Sequence, residues 1–87
     1  MGDISTLSII ARQKGIEGKL SYSKRNNKRF AIKLNNGKVI NFGDTQKQTY
    51  FDHGDVVRRL RFHQRFRNNK GYNDPNSGLY YSARLLW

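Results

Sequence analysis

Cysteine is absent from this chain, so neither a disulfide nor a thiolate zinc site can staple its fold. That absence fits a reducing compartment. Acidic residues are scarce: six stand against seventeen Lys and Arg, which leaves a net charge of +11 on 87 residues. No apolar run approaches the roughly 20 residues needed to cross a bilayer. The first residues are not expected to act as a signal peptide, because Asp3 replaces the expected positive flank and Ser and Thr interrupt the apolar stretch. Hydrophobic residues make up only 36% and the mean hydropathy is -0.88, so the core must be thin. A domain of 10.2 kDa buries roughly 60% of its unfolded surface and is marginal alone. Eleven aromatic residues partly compensate, since each ring removes a large area from water when buried.

What the chain does have is positive charge in two clusters. Six Lys or Arg fall between Lys24 and Lys38, and six more between Arg58 and Lys70. Such an excess repels itself in a compact fold, so folding alone does not account for it. The usual reason is a polyanion, most often nucleic acid, whose phosphates release condensed counterions when Lys and Arg replace them.

Local signals outline the organisation. Ile4, Leu7, Ile10 and Ala11 have helical spacing, with Asp3 as a cap and Gly15 as a stop. This helix either packs on the body or belongs to an arm that docks on a neighbour. Gly15, Gly18 and Ser21 then read as a flexible link, which gives an N-terminal arm over residues 1–23 and a basic domain over 24–87. The strongest signal is a β-hairpin around Asn35-Asn36-Gly37. A two-residue Asn-Gly loop would put Ile40 and Phe42 on the face opposite Phe30 and Ile32. A three-residue loop with Gly37 as a left-handed bulge pairs Ile32 with Ile40, so that Phe30, Ile32, Leu34, Ile40 and Phe42 share one face. Burial favours the bulged turn.

A helix is expected from about Gly54 to Asn68, capped by Asp52 or Asp55. At about 100° per residue, Val56, Val57, Leu60, Phe62, His63 and Phe66 fill one broad arc, which is expected to pack on the hairpin. Arg58, Arg61 and Arg65 lie on the other side within an arc of about 60°. Arg59 and Arg67 fall inside the apolar arc and are expected to snorkel or pair with acids. Asp74-Pro75-Asn76-Ser77-Gly78 is a turn by composition. Leu79 to Trp87 fits either a strand by alternation or a short helix by the spacing of Leu79, Ala83 and Leu86; the helix is favoured. Either way it should cover the hairpin face, because an exposed apolar segment aggregates.

Several pieces of this pattern occur together elsewhere. They are the basic lead Ser23 to Phe30, Asn35-Gly37-Lys38, the box Asn41-Phe42-Gly43-Asp44, and then Tyr50, His53 and Asp55. Arg58-Arg59, Arg65, Asp74, Gly78, Tyr80, Ser82 and the closing Leu85-Leu86-Trp87 complete the set. In this combination the chain resembles a family of small basic proteins encoded by large eukaryotic DNA viruses. The pattern departs from the family at Phe66, where a second His usually follows the helix arginine, and residues 1–22 lie outside it. The resemblance implies a viral origin and a role in or near the virion or infected cell, and it implies no particular activity.

Chemistry can be weighed residue by residue. A charge run is often only a solvated face, but the two clusters converge if the helix crosses the hairpin, and the Arg fork matches phosphate geometry. The aromatics, Phe30, Tyr50, Phe51, Tyr72, Tyr80, Tyr81 and Trp87 among them, could stack on unpaired bases; most are needed for the core, which leaves Tyr22 and Tyr72 as the exposed candidates. Asp52, His53, Asp55, Asp44 and His63 could hold a divalent metal for phosphodiester cleavage, but capping is the better reading because their spacing matches no metal motif. A membrane-surface role ranks low, since the apolar arc of the helix is needed for the core.

The sequence therefore points to a small single α+β domain: a β-hairpin packed on one Arg-rich helix, an apolar C-terminal segment and a flexible N-terminal arm. The expected function is non-enzymatic, non-specific binding of nucleic acid through phosphates, DNA before RNA, with no cofactor, no metal and no membrane. The expected contacts are Lys24, Arg25, Lys28 and Arg29 from the lead, with Arg58, Arg61, Arg65 and Lys70 from the helix. A minor capsid or core cement protein is the alternative, and a metal-dependent nuclease a distant third.

Overall fold

A computed structural model describes residues 3–87. In chain order the elements are α1 (Ile4–Gln13), β1 (Lys19–Tyr22), β2 (Lys28–Lys33), β3 (Val39–Asp44), α2 (Tyr50–His53) and α3 (Val56–Phe66). A 3-10 turn at Lys70–Asn73, α4 (Gly78–Tyr81) and a π turn at Ser82–Leu86 follow. The three strands form one antiparallel sheet in the order β1-β2-β3.

The hairpin has the register that burial demanded. Phe30 pairs with Phe42 and Ile32 with Ile40. The turn closes through Leu34 N–H donating to Lys38 O at 2.8 Å, with Gly37 at φ +89°, a left-handed geometry that glycine alone adopts without strain. One sheet face thus presents Phe30, Ile32, Ile40 and Phe42, all buried.

The expected partner of that face is corrected. The hairpin is not packed on a single Arg-rich helix; a three-stranded sheet and four helices make up the fold. Leu7 and Ala11 of α1, with Tyr81, Leu85 and Leu86 of the 78–86 segment, fill the core instead. That segment is helical, as favoured over a strand, and seals the hairpin face.

The flexible N-terminal arm is likewise corrected, residues 1–2 lying outside the described residues. Asp3 caps α1 by accepting from Thr6 N–H at 2.8 Å, which holds its carboxyl below the ordinary value. At the other end Gly15 N–H donates to Arg12 O and Ile16 N–H to Ala11 O, a Schellman closure with Gly15 left-handed at φ +70°. Chain reversal then delivers β1 to the edge of the sheet, where Leu20 pairs with Ile32 and Tyr22 with Phe30. Gly18 is no linker. A Cβ there would stand 2.8 Å from Ile32 Cγ1, and its φ is +133°, so the strand's approach requires glycine.

The helix expected over 54–68 is present as α3, preceded by a separate short helix, α2. Thr49 and Asp52 form a capping box that starts α2, Gly54 ends it in the left-handed conformation at φ +67°, and Asp55 restarts the chain as α3 by accepting from Val57 and Arg58 N–H. No residue of α3 is fully buried. Val56, Val57 and Leu60, assigned to the core by spacing, are each more than half exposed. The inner side of α3 is held by aromatics: Phe62 stacks on Trp87 with centroids 4.7 Å apart and planes 5° off parallel, and His63 Nδ1 is 2.6 Å from the Tyr72 hydroxyl. Since α3 stands against one rim of the core rather than over it, a gap is left between it and the hairpin.

Candidate nucleic-acid interface

That gap is a cleft of about 1050 Å³. One wall is the β1–β2 link with the start of β2 and the turn after β3, which bring Arg25, Lys28 and Lys47; the other is α3, which brings Arg58, Arg61 and Arg65. The three helix arginines share this wall because positions i, i+3 and i+7 fall on one side of a helix. Between the walls lie Phe42 and Leu86 of the core and the half-buried Leu79, with Phe62, Phe66 and Trp87 beside them. Six cations thus face one carboxylate, Asp44, whose Oδ1 accepts from Gln46 N–H as a turn residue.

The chain's other cations include several that are engaged internally. Arg29 makes the one ion pair among the described residues, a two-pronged contact with Asp52 in which NH1 donates to Oδ2 at 2.6 Å and NH2 to Oδ1 at 2.8 Å. The Arg29 fork, with a further bond from Thr49 N–H, holds the Asp52 carboxyl down at about 2. Arg59 donates to Trp87 O at 2.8 Å and sits over the Tyr50 ring, and it pairs with no acid among the described residues. Arg84 donates to Tyr72 O at 2.7 Å and covers the Tyr80 ring at 3.8 Å. Lys14 donates to Arg84 O, and loss of water together with the Arg59 and Arg84 charges holds its amine below the ordinary value. None of the six cleft cations is ion-paired among the described residues.

Of the eight contacts expected from sequence, five line the cleft: Arg25, Lys28, Arg58, Arg61 and Arg65. Arg29 is turned inward to Asp52. Lys24, in the β1–β2 link, and Lys70, at the start of the 3-10 turn, are exposed but do not line it. Lys47 was missed, a lone cation in a polar stretch with nothing in its spacing to mark it. Phe62 and Phe66 were read as core residues, whereas they form part of the cleft's lining and are only half-buried.

The candidate catalytic constellation does capping work. Asp52 belongs to the box at α2, Asp55 caps α3, and His53 Nδ1 accepts from Asp55 N–H at 2.9 Å. With Nδ1 an acceptor, the neutral ring carries its proton on Nε2, which is buried without a hydrogen-bond partner; the ring meets Trp87 at 64°. Among the described residues no group of three or more His, Asp or Glu side chains could hold a metal ion.

Residues 18–66 match the model of a family described as a family of unknown function, DUF5754. This stretch is more than half of the chain. The chain belongs to that family. No curated protein and no solved structure matches it. The portion shared with DUF5754 runs through β1 to α3 and contains all six cleft cations, whereas the 78–87 segment that supplies Leu79, Leu86 and Trp87 lies beyond it.

Proposed function

We propose that this chain binds nucleic acid without sequence specificity, through phosphate contacts made in the cleft between the hairpin and α3. The observation that supports this reading most is the lining: six cations, contributed by three separate parts of the chain, against a single carboxylate. Cations held together without internal partners cost self-repulsion, which a polyanion relieves while releasing its counterions. Four of the six are arginines, whose planar donors suit phosphate oxygens.

The setting, in or near the virion of a large DNA virus, rests on the sequence resemblance, and DNA is the polyanion to test first. The experiment is a salt titration of binding to a short DNA. Six phosphate contacts weaken affinity on the order of a thousandfold between about 50 and about 200 mM salt. Binding that ignores salt contradicts the proposal.

A cement role keeps one supporting observation, the row of exposed Val56, Val57 and Leu60 on the outer side of α3. The two segments such a protein would insert between its neighbours, the N-terminal arm and the aromatic tail, are instead built into the core as α1 and the 78–86 segment. Copies in purified particles at capsid-like stoichiometry would support this second reading.

A further inference from the structure

We propose that the cleft receives an unpaired stretch of nucleic acid, with phosphates on the rim cations and at least one base stacked on the aromatic surface of Phe62, Phe66 and Trp87. This inference rests on the nucleic-acid reading above and narrows its ligand to single strands.

The lining is the first ground. Phosphate contact needs only charge, yet this cationic cleft also holds three half-buried aromatic rings. Phe62 and Trp87 are already parallel at 4.7 Å, and Phe66 continues the array at 4.7 Å and 45° from Phe62. Arg65 lies over one face of the Phe66 ring, 5.2 Å from its centre, which leaves the other face open, and both kinds of group stack on bases. Of the three, only Trp87 packs against the core cluster, so Phe62 and Phe66 keep ring surface that the core does not use.

Size is the second ground. A duplex is broad, with grooves roughly 12 and roughly 6 Å wide side by side, against a cleft of only about 1050 Å³. A double helix can only lie across the mouth of the cleft, where it meets the rim charges and keeps its base faces hidden. An unpaired strand can enter a volume of about 1050 Å³, which is at the upper end of pockets that enclose small molecules, roughly 300–1,000 Å³. Only the unpaired strand brings a base face to the rings.

The chain carries one tryptophan, Trp87, so its emission, excited where tyrosine does not absorb, reports on the platform directly. The full chain is titrated with oligothymidylate, with an abasic deoxyribose-phosphate strand of equal length, and with a duplex. Oligothymidylate should bind about 5- to 150-fold more tightly than the abasic strand for each stacked base and should quench Trp87; the abasic strand should leave the emission unchanged. Phe66→Leu keeps an apolar side chain but removes a ring, and should cut the preference for oligothymidylate over the abasic strand severalfold. Equal affinity for all three ligands without quenching overturns the inference and leaves phosphate binding standing. Failure to bind any of them overturns the nucleic-acid reading itself.

Discussion

Asp52→Asn separates the cation that holds the fold from the cations that line the cleft. In the native chain the Asp52 carboxylate accepts both prongs of Arg29 and the amide of Thr49, with a side chain only 18% exposed. Its pKa falls from 3.8 to about 2 as a result, and by linkage that depression contributes roughly 2 kcal/mol of stability at neutral pH. The sign is fixed by the direction of the shift. A depressed acid stabilises the fold above its unfolded pKa, near 4, and the contribution drains away as pH falls through about 2. Asp52→Asn should therefore cost about 2 kcal/mol at pH near 7, with some added loss because Arg29 is left half-buried without its partner. For a domain of this size that lowers the melting temperature by about 4–8 °C per kcal/mol. Urea unfolding followed by Trp87 emission, run at neutral and at strongly acid pH, measures it. The gap between variant and native chain should close as the acid limit is reached. A loss below about 0.5 kcal/mol, or one of equal size at every pH, would refute the clamp. Arg29→Ala should show the same instability with the salt dependence of DNA binding preserved.

Further outcomes follow from the same geometry. Replacing Arg58, Arg61 and Arg65 together by Ala should change the slope of log affinity against log salt on duplex DNA from about -5 to about -3; an unchanged slope removes α3 from the interface. Leu7→Ala, at a fully buried position in α1, should cost about 2–5 kcal/mol in denaturant unfolding. Leu60→Ala, on the exposed side of α3, should stay within about 0.5 kcal/mol. Gly18→Ala should be costlier than Gly37→Ala, which should lose about 1 kcal/mol, because only Gly18 adds a clash with Ile32 to an unfavourable φ.

Legibility in the sequence followed how local each determinant is. The Asn35-Asn36-Gly37 turn fixes its own register once one face must be buried, and residues 30–42 carry everything needed to see it. The arginine stripe was equally legible, since spacing alone places Arg58, Arg61 and Arg65 together. Spacing does not say which side of a helix faces the core. The aliphatic arc of α3 was assigned inward, yet α1 and the 78–86 segment already cover the sheet, and Val56, Val57 and Leu60 are left outside. An apolar side left outside on a basic helix also suits an anionic lipid surface.

Determinants distant in sequence were not readable. Arg29 meets Asp52 from 23 residues away, and nothing in the run Lys24 to Arg29 distinguishes it from its neighbours. β1 is four residues long with one half-buried position, too little alternation to separate a strand from a link. Gly18 looked like flexibility because composition does not register the Ile32 side chain beneath it. Lys47 reaches the cleft only because the turn after β3 folds toward α3.

The central claim is that Arg25, Lys28, Lys47, Arg58, Arg61 and Arg65 act as one surface. Amide and side-chain resonances recorded while a short DNA strand is added test it most directly. Shifts should concentrate on those six residues and on Phe62, Phe66 and Trp87, with Lys19 and Lys33 at the other side of the sheet left in place. Shifts spread evenly over the cations, or gathered on Val56, Val57 and Leu60, would contradict the account.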